Sequence, residues 1–210
     1  MQLSVCRADV TNAAGISLDV PCVPNDLDGV LTVAYNLTAA GGYTLTVYLA
    51  ENKTSALGKL GKREITVRAA APVAAACTVA GVRNDSAAFE AVSVVLTPRD
   101  GFGNRLTGAG IVFEVFAAGP SGVKVPSTTP VYAEGTAEYH TTYGGGEGGA
   151  RGLTVPGPHT ISITLGGVHV AGSPFAITVR PAATSASRSV VSLPASSTGG
   201  DFLAATAGET

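Results

Sequence analysis

The chain has 210 residues, of which 45% are hydrophobic and 13% charged, and its formal net charge is −2. This length predicts one or two domains with real cores, and the low charge excludes the basic stripe that nucleic-acid binding requires. No apolar run reaches membrane-spanning length, and the first residues do not resemble a signal peptide. The 27 Gly and 12 Pro separate short apolar runs without helical periodicity, which indicates an all-β protein.

Five strands are predicted in the first part of the chain by apolar residues that alternate with polar ones. They lie at residues 3–8, 16–20, 30–35, 43–49 and 65–68. An immunoglobulin-type sandwich needs about seven strands, so we interpret residues 1–68 as the C-terminal part of one repeat. Residues 69–76 are small and include a proline, which predicts a linker.

A complete repeat is predicted at residues 77–181. Its strands are expected at 78–81, 91–98, 111–117, around Val131, at 136–142, and in a hairpin within 156–180. In that hairpin Ile161, Ile163 and Leu165 precede a Gly-Gly turn, and apolar residues alternate again after it. Residues 182–188 are a second predicted linker, and residues 189–210 are interpreted as the truncated beginning of a further repeat.

The hairpin has an earlier counterpart, which makes the chain a tandem array. Residues 41–47 match residues 157–163, and Ile-Thr-Val-Arg occurs at both 65–68 and 177–180. The two copies are roughly 112 to 116 residues apart, which suits one β-sandwich per repeat.

Several motifs have the pattern of a known family. They are PRDGFGN at 98–104, AGPS at 118–121, VHVAGSPFAITVRP at 168–181 and DGVLTVAY at 28–35. With them the chain resembles the filamin-type immunoglobulin-like repeat, although residues 62–64 and the Gly-rich segment 144–152 depart from its pattern. The resemblance implies seven-stranded sandwiches that act as spacers, ligands that add a strand beside the third and fourth strands, and a link to the actin cytoskeleton.

The third strand of the complete repeat carries the predicted protein-binding residues Val112, Glu114 and Phe116. Alternation places them outward, with Phe113, Val115 and Ala117 inward. Apolar side chains that flank a glutamate on an edge strand favour binding of a peptide by strand addition. The alternative is that a neighbouring repeat or the chain's own loop covers this face.

Three cysteines and three glycosylation sequons bear on the cellular setting. Cys6, Cys22 and Cys77 have no metal-site spacing. Cys6 and Cys22 could form a disulfide, but we favour two separate buried thiols, because cysteine is readily buried without bonding. Asn36, Asn52 and Asn84 each begin an Asn-X-Ser/Thr sequon, which matters if the chain is secreted.

No arrangement of residues predicts chemistry, a cofactor or a metal site. His140, His159 and His169 lack ligand spacing. Asp100 and Asn104 are expected to shape a turn instead of binding calcium. The Gly-rich tract at 144–149 precedes no helix that could hold a phosphate, so we expect a hairpin loop there.

The sequence therefore predicts a non-catalytic array of filamin-like repeats that acts as spacer and binds proteins or peptides as well as neighbouring repeats. Two settings stay open: a cytosolic scaffold linked to actin, and the ectodomain of a cell-surface adhesion protein of the gamete-adhesion type. A third alternative, an accessory domain of a larger enzyme, needs a catalytic segment outside these residues.

Overall fold

A first module is formed by the N-terminal strands. The computed structural model describes residues 5–24, 30–52, 55–122, 124–144 and 153–183. The first five strands are β1 (Val5–Asn12), β2 (Ser17–Pro24), β3 (Leu31–Val33), β4 (Gly41–Asn52) and β5 (Ser55–Val67). They form one antiparallel sheet in the order β3-β2-β1-β4-β5. No second sheet faces it among the described residues.

A disulfide joins Cys6 and Cys22 in this sheet. The two cysteines lie on the paired strands β1 and β2, where Arg7 is opposite Pro21, and their Cα atoms are 5.4 Å apart. The favoured interpretation of two separate thiols is therefore wrong. The antiparallel register brings the two side chains together, and a 5.4 Å separation is within the range that a disulfide spans.

The core of the first module is small. Among the described residues, three are buried in its apolar cluster, Ala8, Val10 and Val20, whereas sixteen are buried in the cluster of the second module. Buried apolar area is the main source of folding free energy. The disulfide therefore has a larger relative share in the stability of the first module than a crosslink would have in the second.

The second module begins after a single 3-10 turn at Ala74–Ala76. Its strands are β6 (Thr78–Ala80), β7 (Asp85–Ala87), β8 (Val92–Thr97), β9 (Phe113–Ala118), β10 (Lys124–Pro126), β11 (Val131–Ala133), β12 (Glu138–Tyr143), β13 (Gly157–Leu165), β14 (Val168–His169) and β15 (Phe175–Arg180). One sheet has the order β10-β9-β13-β15-β7, with β14 beside β13, and the other has the order β11-β12-β8-β6. The two sheets form a β-sandwich.

Alternating side chains from both sheets fill the space between them. Val92, Val94 and Leu96 of β8 are almost completely buried, as are Ile161 and Ile163 of β13. Tyr139 of β12 packs edge-on against Phe113 of β9 with 5.4 Å between ring centroids, a favourable arrangement for aromatic rings. The two-residue period of each strand thus gives one apolar face per sheet.

Several strands differ from the predicted ones, among them β14, which was not predicted. Strand β5 begins at Ser55, ten residues before the predicted start, because it pairs with the full length of β4. The short strands β7 and β10 were not predicted. The predicted further repeat at 189–210 lies outside the described residues, as do residues 1–4 and most of the Gly-rich segment.

The joint between the modules is organised by the carboxylate of Asp100, which is completely buried. Its Oδ1 accepts hydrogen bonds from the backbone N–H of Phe102 and Asn104, both at 2.9 Å. Its Oδ2 accepts from the side-chain amide of Asn104 at 2.8 Å and from the N–H of Ala70 at 2.9 Å. One carboxylate therefore holds its own turn and the predicted linker together.

Asn104 extends this network into the first module. Its side-chain amide donates to the carbonyl of Thr38 at 2.7 Å, and its Oδ1 accepts from the N–H of Ala40 at 2.8 Å. The linker is also tied down, because the N–H of Val73 donates to the carbonyl of Arg99 at 2.9 Å. The segment predicted as a linker is thus packed against the second module.

Reduction of the Cys6–Cys22 disulfide is predicted to lower the free energy of unfolding of the first module by about 3 kcal/mol, because the bond closes a short loop in the unfolded chain. Calorimetry with and without reductant measures the change. A Cys6→Ser/Cys22→Ser variant should not respond to reductant, whereas Cys77→Ser should respond like the unmodified chain. Identical melting of the oxidised and reduced chains would contradict this prediction.

A second prediction concerns acid. Burial raises the pKa of Asp100, but its four hydrogen bonds outweigh burial and lower the pKa from 3.8 to about 2. A lowered pKa contributes stability that is complete above the unfolded-state value and is lost as the pH falls, here between about pH 4 and pH 2. Chemical denaturation across this range should show the loss, and Asp100→Asn should remove this part of the pH dependence. An equal slope in both proteins would refute the assignment.

Candidate protein-binding face

Strand β9 presents the predicted binding residues as its alternation requires. Phe113, Val115 and Ala117 are buried in the core. On the opposite side Glu114 is exposed and Phe116 is half-buried, while Val112, just before the strand, is 73% exposed. The outward placement of these three side chains follows the two-residue period of a strand.

The backbone edge of β9 is already occupied by the chain itself. Strand β10 pairs antiparallel with it and places Pro126 opposite Phe116 and Lys124 opposite Ala118. The carbonyl of Val115 accepts the N–H of Ser127 at 3.0 Å. A ligand therefore cannot add a strand directly beside this part of β9, and the alternative of coverage by the chain's own loop holds for the backbone.

The outward side chains have local partners that set the charge pattern of this face. The ammonium group of Lys124 lies 4.4 Å from the centroid of the Phe116 ring, within the range of a cation–π contact. Glu114 accepts a hydrogen bond from the hydroxyl of Thr164 at 3.0 Å. The face thus combines one apolar ring, one cation and one anion within a few residues.

A groove of about 420 Å³ borders this strip between β9, β10 and the segment that follows β10. Its lining includes Phe116, Lys124 and Pro126 on one side and Thr129 and Pro130 on the other. The second wall is anchored to β12, because the N–H of Thr142 donates to Thr128 Oγ1 at 2.8 Å and Thr141 Oγ1 lies 2.5 Å from the Thr128 carbonyl oxygen. The segment after β10 is therefore held in place by β12, and β10 is held by its pairing with β9.

The glycosylation sequons differ in their surroundings. Asn36 and Asn84 are exposed, so their side chains are accessible in the structure. Asn52 was expected in a loop but is the last residue of β4, where it pairs with Ser55. The Asn52 side chain does not belong to the described part of the structure.

Histidine and cysteine side chains have structural surroundings. His159 is buried, and its Nδ1 lies 3.1 Å from the carbonyl oxygen of Gly157. A Cβ atom on Gly119 would lie 2.6 Å from the His159 Nε2, so a larger residue there would require the imidazole ring to shift. Cys77 is buried with its Sγ 3.3 Å from the Val73 carbonyl oxygen, and burial raises the pKa of its thiol. A raised pKa leaves little of the reactive thiolate.

Metal and membrane features can be assessed for the described part of the chain. Within it no group of three or more His, Cys, Asp or Glu is arranged to hold a metal ion. Both carboxylate oxygens of Asp100 already accept N–H donors, which fits the predicted turn. The described residues contain no helix with the length and apolarity needed to cross a bilayer.

Sequence reasoning missed residues that act through tertiary pairing. Lys124 and Pro126 cover the β9 edge from a three-residue strand, which is too short for a periodic signal. The bonds of Asn104 to Thr38 and Ala40 cross more than sixty residues of sequence. The motif around Asp100 signalled a turn, and nothing in it indicated a joint.

Comparison with known proteins gives structural similarity alone. No protein-family model matches the sequence, and no curated protein matches it. An InvD structure from Yersinia pseudotuberculosis is 18% identical over 93% of this chain and 54% of that chain, with a TM-score of 0.50. Invasin, described as a bacterial integrin-binding protein, is 16% identical over 86% of this chain and 33% of that chain, with a TM-score of 0.51.

A third similar structure is the Lin-41 filamin domain, which is 19% identical over 53% of this chain and 98% of that domain, with a TM-score of 0.43. The chain spans about half or less of the two bacterial proteins. Together with the observed strand order, the similarity to the InvD and invasin structures identifies the fold as an all-β, immunoglobulin-like sandwich.

Proposed function

We propose that this chain is a non-catalytic segment of an extracellular array of immunoglobulin-like repeats, which spaces and presents protein-binding faces. The observation that carries the proposal is the Cys6–Cys22 disulfide. Disulfides form and persist outside the cytosol and are rare in reducing compartments. The cell-surface setting is therefore favoured over the cytosolic scaffold linked to actin, which stays a prediction from the resemblance to filamins.

Surface-exposed sequons support the same setting. Asn36 and Asn84 both have exposed side chains, as glycosylation requires. The similarity in fold to invasin, which is described as an integrin-binding protein, also supports an adhesion-type role. An accessory role beside a catalytic domain has no observation in its favour.

The spacer role rests on the joint between the modules. Asp100 and Asn104 together make hydrogen bonds to the linker and to the loop before β4. Interfaces between domains of one chain are often small enough to allow relative motion. The bond from the Ala70 N–H to the buried Asp100 carboxylate is charge-assisted, so breaking it would take a donor from a buried charge. The two neutral bonds from Asn104 to the loop before β4 add to this restraint at the surface.

The binding role is assigned to the groove beside Phe116. Its ring, the Lys124 ammonium and the Glu114 carboxylate offer apolar and charged contacts side by side. Since β10 occupies the β9 backbone edge, the ligand in this proposal contacts side chains in the groove or adds beyond β10. Strand addition directly on β9 is not part of it.

Secreted production of the chain in a eukaryotic host tests the setting. We expect intact-mass spectra to show glycans on Asn36 and Asn84 that disappear in Asn36→Gln and Asn84→Gln, respectively, and peptide mapping to recover a linked Cys6–Cys22 pair. Asn12→Gln, which changes an Asn outside any sequon, is the matched control. Free Cys6 and Cys22 in unglycosylated, folded material would reject the extracellular assignment.

The binding face is tested with linear peptides selected from a random display library on the 210-residue chain. Phe116→Asp should abolish binding of peptides that occupy the groove, because it removes the apolar ring and places a carboxylate where an apolar side chain of the peptide would pack. Val168→Asp, at a residue that is 60% exposed elsewhere in the second module, should leave binding unchanged. If Phe116→Asp remains folded by calorimetry and binds every selected peptide as before, the groove is not the site.

A further inference from the structure

The segment that leads from β10 to β11 carries three hydroxyl side chains between two prolines. It reads Pro-Ser-Thr-Thr-Pro from Pro126 to Pro130. Strands β10 and β11 are the outermost strands of the two sheets of the second module, so the segment crosses between the sheets at one edge of the sandwich. Serine and threonine combined with proline are the composition of O-glycosylated segments. The structure shows which of the three hydroxyls an enzyme could reach.

Two of the three hydroxyls are used by the fold. Ser127 is buried, and its Oγ donates to the carbonyl of Thr128 at 2.7 Å and accepts from Thr141 Oγ1 at 2.9 Å. Thr128 is half-buried, and its Oγ1 accepts the N–H of Thr142 at 2.8 Å. A sugar on either oxygen would disrupt bonds that hold the segment to β12, at a cost in stability. Neither hydroxyl is therefore available for modification in the folded protein.

Thr129 carries the remaining hydroxyl of the segment. Its side chain is exposed and has no hydrogen bond to any of the described residues. Pro130 follows it directly, which favours an extended backbone at Thr129. A glycosyltransferase has to bring the acceptor oxygen to within roughly 3 to 3.5 Å of the reacting carbon of its sugar donor. An exposed hydroxyl on an extended segment allows that approach.

The other hydroxyl residues that directly precede a proline are not accessible in this way. Within the described part of the chain they are Thr97 and Ser173. Thr97 is buried. Ser173 Oγ accepts the N–H of Ile163 at 2.8 Å and lies 2.9 Å from His169 Nδ1. Thr129 is therefore distinguished from them by its surroundings in the fold and not by the sequence motif alone.

The position of Thr129 gives a modification there a consequence for binding. Thr129 and Pro130 line the groove on the wall that faces Phe116, Lys124 and Pro126. A glycan is bulky and hydrophilic. A sugar on Thr129 Oγ1 would therefore stand beside the groove and clash with a peptide whose apolar side chain enters it, which is a common means of excluding a ligand.

We propose that Thr129 is an O-glycosylation site and that its glycan closes the groove beside Phe116 to peptides. In the reaction Thr129 Oγ1 attacks the anomeric carbon of a nucleoside-diphosphate sugar and forms the glycosidic bond. The bond from that carbon to the diphosphate breaks, the nucleoside diphosphate leaves with its electron pair, and the hydroxyl proton passes to a base of the transferase. The inference rests on the proposed function, because glycan chains are added in the secretory pathway and the groove is the proposed binding face.

The modification is tested on the 210-residue chain secreted from a eukaryotic host. After enzymatic removal of N-glycans, we expect peptide mapping by mass spectrometry to place a hexose or N-acetylhexosamine on Thr129 and none on Ser127 or Thr128. The sugar should be absent from Thr129→Val and present in Thr129→Ser, which keeps a hydroxyl. Thr107→Val, at another exposed threonine, is the matched control and should keep the sugar on Thr129.

Two results overturn the assignment of this site. One is an unmodified Thr129 in secreted material that carries N-glycans and the intact disulfide, which would leave the extracellular setting in place. The other is a phosphate on Thr129, which would indicate a kinase that recognises Thr-Pro instead of a glycosyltransferase.

Peptide binding tests the closing of the groove. Peptides selected on chain produced in bacteria, without O-glycans, should bind bacterial chain and bacterial Thr129→Val alike. The secreted chain should lose this binding, and secreted Thr129→Val should retain it. Equal binding by secreted chain with an occupied Thr129 and by bacterial chain overturns the closing of the groove. If no peptide binds the groove of the bacterial chain, the proposed binding role fails together with its closing, whereas the mapping of Thr129 still decides the modification.

Discussion

One buried carboxylate, that of Asp100, fixes the relation between the two modules. Its side chain is withdrawn from water, so each of its oxygens must accept hydrogen bonds from the protein. Those donors come from its own turn, from the linker at Ala70 and from Asn104, which in turn bonds to the first module. The linker, the turn and the loop before β4 are therefore parts of one network, and the orientation of the modules depends on it.

The two modules share a hairpin but differ in what completes it. In the second module β7 covers β15, a second sheet covers the apolar face, and a large core results. In the first module the described residues supply one sheet, a small core and a disulfide. The outer edge of the hairpin is thus paired with β7 in the second module, whereas no described strand pairs with the outer edge of β5 in the first.

Much of the fold could be predicted from local patterns, because alternation in residues 161–165 and 175–179 reports which side chains are buried. The outward placement of Phe116 followed from the same rule. Pairing between distant segments leaves no such signal. Strand β10 has three residues including Pro126, and the first half of β5 contains Gly58 and Gly61, so neither alternates clearly. The register that joins Cys6 to Cys22 also exists only once β1 and β2 have paired.

Under the proposed spacer role, the crosslink between Cys6 and Cys22 also has a mechanical consequence. When an array is pulled from its ends, an unfolding module lengthens by the contour of the chain that it releases. The two cysteines are sixteen residues apart, and while the disulfide is intact the chain between them cannot extend. The unfolded module is therefore shorter by roughly 50 Å, at about 3.4 Å per residue. Reductants in the surroundings would therefore set how far the first module extends under load.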